Sequence, residues 1–583
     1  MLYLRNICLL LLLTTPTAFA QLNAKLLGQL NPYPGIHNRF GDIWGDGHYA
    51  YLCSFLGGNI TIIDISDPRA PKVAGVFEPP GGPSLRDAVV LNGIGYFACD
   101  TPQLGLYIVD VRDPQNLKLL SQITAAQNGH GNVHEISVSN NFLYEADSRT
   151  PRVKVFDVSD PAKPVFKWNI DCQNTGAVHS ALGINGRLYA SGLSGSTEIY
   201  DISNVATTAP RRLGVVASGL ASHSSWPSND GRIWATCSER DGGDTRLYDV
   251  SDPASPRLLS TITAAAIGID AFTPHNPVIV GNLLFVAWYQ AGTQVFDITD
   301  PTKPVRVGAY DTYPGPLCPD SFCYAGDWGV YPFLGLDRVL LSDLDGGLFI
   351  VDFSAAGTSA KTVSAASFNF SSITPKSIVA VFGSNLATTT ASSTLQSLPT
   401  LLGGTRISVL DYAGVERPAP LFFVSPQQIN YEIPADTKPG PALVKITNGD
   451  GQVSYSSTTV VAAAPALFAA NASGSGAAAA LDAFTFTTAP FAATRADGQA
   501  NIIAVFGTAL GNDATDNTFD VSASVRVTID DQATTNNYAG AAPGLTGLNQ
   551  INVVLPLGLT AGQHRLRVFR NGVPSNEVTI AIR

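Results

Sequence analysis

Residues 133–168 read VHEISVSNNFLYEADSRTPRVKVFDVSDPAKPVFKW. Four short runs, 133–138, 142–146, 152–157 and 165–168, alternate apolar and polar positions, and turn residues separate them. Period-two alternation of this kind predicts four antiparallel strands. The last turn has a mechanism. Asp157 and Ser159 can bond the backbone two residues on, while Pro161 presets φ and cannot donate to a ladder, so the strand ends there. The third run recurs along the chain, ending each time in Asp: Asp64, Asp110, Asp157, Asp201, Asp249, Asp297 and Asp352, at steps of 46, 47, 44, 48, 48 and 55 residues. A repeat of about 40–50 residues built from short strands predicts the blade of a β-propeller.

The Asp-Pro turn also recurs, at Asp67-Pro68, Asp113-Pro114, Asp252-Pro253 and Asp300-Pro301. Runs such as Ile108-Val109-Asp110 followed by this turn resemble the LVIVD repeat family, whose members are predicted β-propellers of secreted and cell-surface proteins. The resemblance covers roughly residues 24–354 and speaks to fold more than to activity. Residues 24–30 match the fourth run of other repeats, such as 118–123 and 257–262, yet precede any first three. The last repeat stops after its third run at Asp352. The expectation is an all-β chain opening with a seven-bladed β-propeller over 21–354, its N-terminal strand closing the last blade. Such closure removes exposed sheet edges.

The chain has 583 residues, too many for one core. A net charge of −11, with no basic block, argues against nucleic acid as a partner. Arg5, the apolar run 7–13 and Ala18-Phe19-Ala20 read as a cleavable signal peptide over 1–20, too short to span a bilayer. The mature protein is therefore expected outside the cell or on its surface, with no transmembrane segment. Export permits disulfides, and Cys318 and Cys323, flanking a loop-like stretch, are the candidate pair. Cys53, Cys99 and Cys237 take similar places in their repeats and read as small buried residues.

Beyond 354 the composition shifts. Residues 355–366 read as a linker, followed by a duplication. Residues 377–383 (SIVAVFG) correspond to 501–507 (NIIAVFG), and 428–434 (QINYEIP) to 550–556 (QINVVLP). Two β-sandwich domains are expected, over 367–465 and 466–583. This half resembles a tandem module of Ig-like or TIG-like sandwiches found on secreted proteins of soil bacteria. Its repeated motifs read as structural.

The candidate chemistry lies in the repeat. Of eight histidines, four share a slot: His134, His179 and His275 stand ten residues before Tyr144, Tyr189 and Phe285, and His223 eleven before Trp234. Each opens a first strand, which in a propeller lines the central channel. The other blades offer Asp42 or Gly41, Arg86 beside Asp87, and Asp327. Three readings of the slot stand side by side. The imidazoles bond backbone and repeat because the repeat was duplicated; or Arg86, the histidines and Asp327 ring a small polar ligand; or the four histidines hold a divalent transition metal, for which imidazole is a common ligand. Glu135 is a candidate base or supporting carboxylate, although strand alternation turns it from His134. Ser222-His223-Ser224 lacks the geometry of nucleophilic catalysis. The carboxylate-glycine stretches 241–244 and 343–347 read as hairpin turns, not calcium loops. His564 reads as exposed on a strand. The leading expectation is a binding or interaction protein whose partner is an extracellular protein, a glycan or a small polar ligand. A secreted, metal-dependent enzyme at the channel mouth is the alternative.

Overall fold

The computed structural model describes residues 21–583 except 219–220, 314, 316–323, 358–359, 369–371, 394–396 and 512–519. The expected signal peptide and the Cys318–Cys323 pair lie outside the described residues.

Among the described residues between 25 and 352, seven four-stranded antiparallel sheets follow one another. Six are built from consecutive strands, over 40–77, 85–123, 135–171, 178–217, 224–263 and 277–310. The seventh joins Asp327–Tyr331, Val339–Asp343 and Gly347–Asp352 to Lys25–Leu30, from the start of the chain. Their first strands lie side by side in a closed circuit. Trp44 donates to the Val90 carbonyl, Asp87 accepts from the Ile136 amide, and Ser137 donates to the Ala181 carbonyl. Ser191 meets Ser225, Ser224 donates to the His275 carbonyl, and His275 donates to the Trp328 carbonyl. The Phe40 amide, donating to the Leu344 carbonyl, returns the circuit to the first sheet. This is a β-propeller.

The sequence repeat is explained by its turns. Every Asp that ends a third strand accepts the amide two residues on, from Ser66 on Asp64 to Ser354 on Asp352. The following Asp-Pro then builds a seam between sheets. The Pro161 and Pro301 carbonyls accept from Ser121 and Ser260 on the preceding sheet's outer strand. Where that outer strand carries Gly28, Gly75 or Gly214 instead, an added Cβ would collide with the Pro68, Pro114 or Pro253 carbonyl. Gly28 belongs to the chain's first strand and meets the first sheet's turn, so Lys25–Leu30 serves as the seventh sheet's outer strand. Cys53, Cys99 and Cys237 are free thiols buried in the sheets. The turn at 343–347 is a hairpin, with Asp343 accepting from the Asp345 and Gly346 amides.

Past residue 352 two further units each pair two sheets around one apolar core. The expected linker 355–366 contributes a strand, Lys361–Ser364, paired with Ile378–Phe382. The strand is only four residues long and is flanked by Ala and Gly, which are depleted in strands, so the composition of the stretch conceals it. The duplicated motifs take the same positions: Phe382 pairs Gln428, and Phe506 pairs Gln550. Gln428 donates to Asn430 at 2.8 Å, and Gln550 to Asn552 at 2.8 Å. The Gln-x-Asn motif thus bridges along one strand face. His564 is buried, unlike the sequence expectation, because the Asp530 carboxylate and the Thr560 carbonyl occupy its two ring nitrogens.

The first of these units seals one end of the propeller. Its Tyr412 ring meets Trp44 edge-on at 6.2 Å. Ser457 donates to the Pro332 carbonyl, and Ser372 to that of Asp46.

Candidate functional site

The opposite channel mouth gathers one side chain from each of the seven sheets. Around the circle, His134 and His179 have ring centroids 4.2 Å apart, His179 and His223 3.8 Å, His223 and His275 4.4 Å, and His275 and Trp328 4.5 Å. Trp328 faces Phe55 at 6.0 Å, and the Arg86 guanidinium lies 3.8 Å above the Phe55 ring. Asp100 closes the circuit by pairing with Arg86 at 2.8 Å and His134 at 3.2 Å. The ring bounds a cavity of about 330 Å³, which Glu239, Tyr289 and Tyr324 also line.

Local strand geometry delivers these residues. His134, His223 and His275 lie just outside their first strands, and each donates its amide to the end of the second strand, at Ala146, Cys237 and Ala287. Arg86, His179 and Trp328 sit on bulges, at register shifts between Leu85 and Asp87, Val178 and Ser180, and Asp327 and Gly329. A bulge inserts one residue and re-aims its side chain. The slot in the seventh sheet therefore belongs to Trp328. Asp327, one position away, is fully buried and bonded to Thr293 between sheets six and seven. In the first sheet, Gly41 packs against the Arg86 backbone, and Phe55, after the second strand, lines the mouth.

Glu239 escaped the sequence reading. It follows the second strand Ile233–Cys237 by two residues and stands 3.1 Å from His223 Nε2 and 3.8 Å from His275 Nε2. Tyr289 donates to it at 2.5 Å. Asp100 and Asp147 also follow second strands, each by one residue, but no fixed spacing ties Glu239 to them. Glu135 lies below the ring, its Oε1 3.5 Å from His179 Nδ1, which makes no hydrogen bond.

Burial governs the charges. It holds His275 down at about 3, and His134 at about 4 with help from the His179 charge. His223 is pushed well below the usual histidine range, again by burial and then by its histidine neighbours. Burial lifts Glu239 above the usual carboxylate range. Burial also lifts Glu135, but the neighbouring His179, with His134 and Ser180, outweighs it and leaves Glu135 low. Deeper still, the channel narrows to a pocket of about 100 Å³ that Asp42, Asp87 and Glu135 share with Tyr412. Burial raises Asp42 to about 7, and it raises Asp87 well above its ordinary value, with the Asp42 and Glu135 charges adding. Among the described residues, two groups of ligand atoms lie close enough to share an ion: Glu135, His179 and His223, and His223, Glu239 and His275.

Comparisons with known proteins agree with the repeat. Residues 40–78, 130–172 and 277–312 match the LVIVD repeat. No curated protein matches the chain. Among solved structures, the chain is similar to the RRP9 WD40 repeats, at 10% identity over 56% of this chain and 97% of that one, with a TM-score of 0.43. It is also similar to a functionally unknown protein from Desulfotomaculum acetoxidans, at 14% identity over 46% and 84%, TM-score 0.37. A chain of the Mitotic Checkpoint Complex matches at 11% identity over 60% and 98%, TM-score 0.41.

Proposed function

We propose that this is an exported binding protein, a seven-bladed propeller whose channel mouth captures a small polar ligand. The observation that carries the reading is the convergence of one residue from every sheet on a single cavity. Its volume lies at the lower end of the ordinary small-molecule range, and its lining mixes aromatic faces with imidazole, guanidinium and carboxylate groups. Tyr412 and its unit close the far end, so a ligand enters and leaves by one mouth. The two C-terminal units, read as β-sandwiches, serve as spacer or attachment module. The features of residues 1–20 support export, which mass analysis of the mature N-terminus tests: a chain beginning at Gln21 is expected.

A thermal-shift screen of small acids, amines and sugars tests the binding site. A hit whose affinity falls in both His134→Ala and His179→Ala supports the reading. Full retention by both folded variants removes the mouth as its site. A metal-dependent enzyme is the second reading, favoured by the carboxylates set beside neutral imidazoles. Turnover of a bound ligand would distinguish it from simple capture.

A further inference from the structure

The cavity floor holds lone pairs that face one another across a gap. A backbone carbonyl only accepts, so His275 Nδ1, 2.6 Å from the Trp328 oxygen, carries the ring hydrogen. A neutral His275 then turns an unprotonated Nε2 toward Glu239 Oε1, 3.8 Å away. On the same carboxylate, Oε2 stands 3.1 Å from His223 Nε2. His223 Nδ1 is buried without a hydrogen-bond partner. His275 Nε2 and Glu239 Oε1 thus face each other as two acceptors, which is unfavourable in a buried site unless a cation lies between them. The three ligand atoms lie within 4.8 Å of one another. Tetrahedral bonds of about 2.0–2.1 Å give an edge of about 3.4 Å, close to the 3.1 Å between His223 Nε2 and Glu239 Oε2.

We propose that His223, Glu239 and His275 bind one first-row divalent transition ion, with a coordination position open to the cavity. Two imidazoles and one carboxylate form a set that zinc accepts while leaving a fourth place for water or ligand. The alternative group, Glu135 with His179 and His223, shares His223 and so competes for it. The Glu239 group is favoured because its members are braced: the Trp328 carbonyl orients His275, and the Tyr289 hydroxyl holds Glu239. Such supporting bonds characterise ligating side chains. Glu239 also lines the cavity at the mouth, whereas Glu135 lines the deeper pocket. The inference rests on the mouth being the binding site, and it specifies the ligand class. The ion takes a small oxygen donor, a carboxylate above all, whose apolar part rests on Tyr324 and Trp328.

The test is Co²⁺ titration of the full chain, stripped with chelator and held at neutral pH, followed by calorimetry and visible absorption. One equivalent with ligand-field bands is expected. E239Q and H275A should each weaken it by at least about tenfold, while circular dichroism shows them folded. No saturable uptake by the native chain overturns the proposal; a proton on Glu239 then fills the gap. Uptake that E239Q leaves intact and Glu135→Gln abolishes overturns the placement. If the native chain takes no metal but the screened ligand still binds at the mouth, only the ion falls. If metal binds and no small ligand does, the capture reading falls instead.

Discussion

Replacing Asp42 by Asn should stabilise the propeller at alkaline pH and do so less at acid pH. Asp42 lines the inner pocket with its carboxyl buried. Burial pushes its carboxyl from 3.8 to about 7, the Ile43 amide opposing and the Glu135 charge assisting. The native group thus holds a proton at pH 5 that the unfolded chain has already lost. A raised pKa contributes stability that is complete below the unfolded value and is lost as pH rises through the folded one. From pH 5 to 8 the native carboxyl crosses about two units of that range, and at about 1.4 kcal/mol per unit the wild type loses about 3 kcal/mol. Asparagine keeps an oxygen for the Ile43 amide and does not titrate. The advantage of the variant over wild type should therefore grow by about 3 kcal/mol between pH 5 and 8. Urea unfolding of metal-free protein, followed by tryptophan fluorescence, measures this cleanly. All six tryptophans lie between Trp44 and Trp328, so the signal reports the propeller and not the C-terminal units. A gap that stays constant within about 0.5 kcal/mol, or narrows with rising pH, would refute the electrostatic account.

Three further outcomes follow from the same reasoning. Gly28→Val forces a side chain into the Pro68 carbonyl at the closing seam, and should lower propeller stability by about 1–3 kcal/mol in the same assay. His130, held at about 4 mainly by burial, loses its contribution as pH falls from about 6.5 to 4, because only the unfolded form takes up a proton there; H130Q should escape about 3 kcal/mol of the wild-type loss over that range, measured as the difference in urea midpoints. Tyr412→Ala removes a buried ring from the seal against Trp44. A cost of about 3 kcal/mol is expected, with calorimetry resolving the propeller transition from that of the adjoining unit.

The repeat was legible because its signals are local. Each third-strand Asp bonds an amide two residues away, so spacing along the chain reports it faithfully. The displaced first strand was legible because Leu26 and Gly28 occupy positions that other repeats fill with the same residue types. The slot of four histidines could be aligned for the same reason. Trp328 could not, because the hairpin after its strand, 332–338, is longer than in most other sheets and breaks the count of ten residues that aligns the histidines. Glu239 and Phe55 enter the site from turns after second strands, where neither period nor spacing constrains a side chain. The strand within 355–366 was hidden because its four residues are flanked by Ala and Gly, which are depleted in strands.

The seventh sheet has a temporal consequence. Gln29 donates to the Gly346 carbonyl across 317 residues. A chain synthesised at about 5–20 residues per second needs roughly 15–60 s to cover that distance. Throughout this interval Lys25–Leu30 has no partner, and the first sheet has no neighbour on one flank. The ring cannot assemble progressively to completion; it closes in one late event, after Asp352 has emerged. Any product that ends earlier retains two open flanks, which makes the passage from unfinished chain to finished ring a single, all-or-none checkpoint in the protein's maturation.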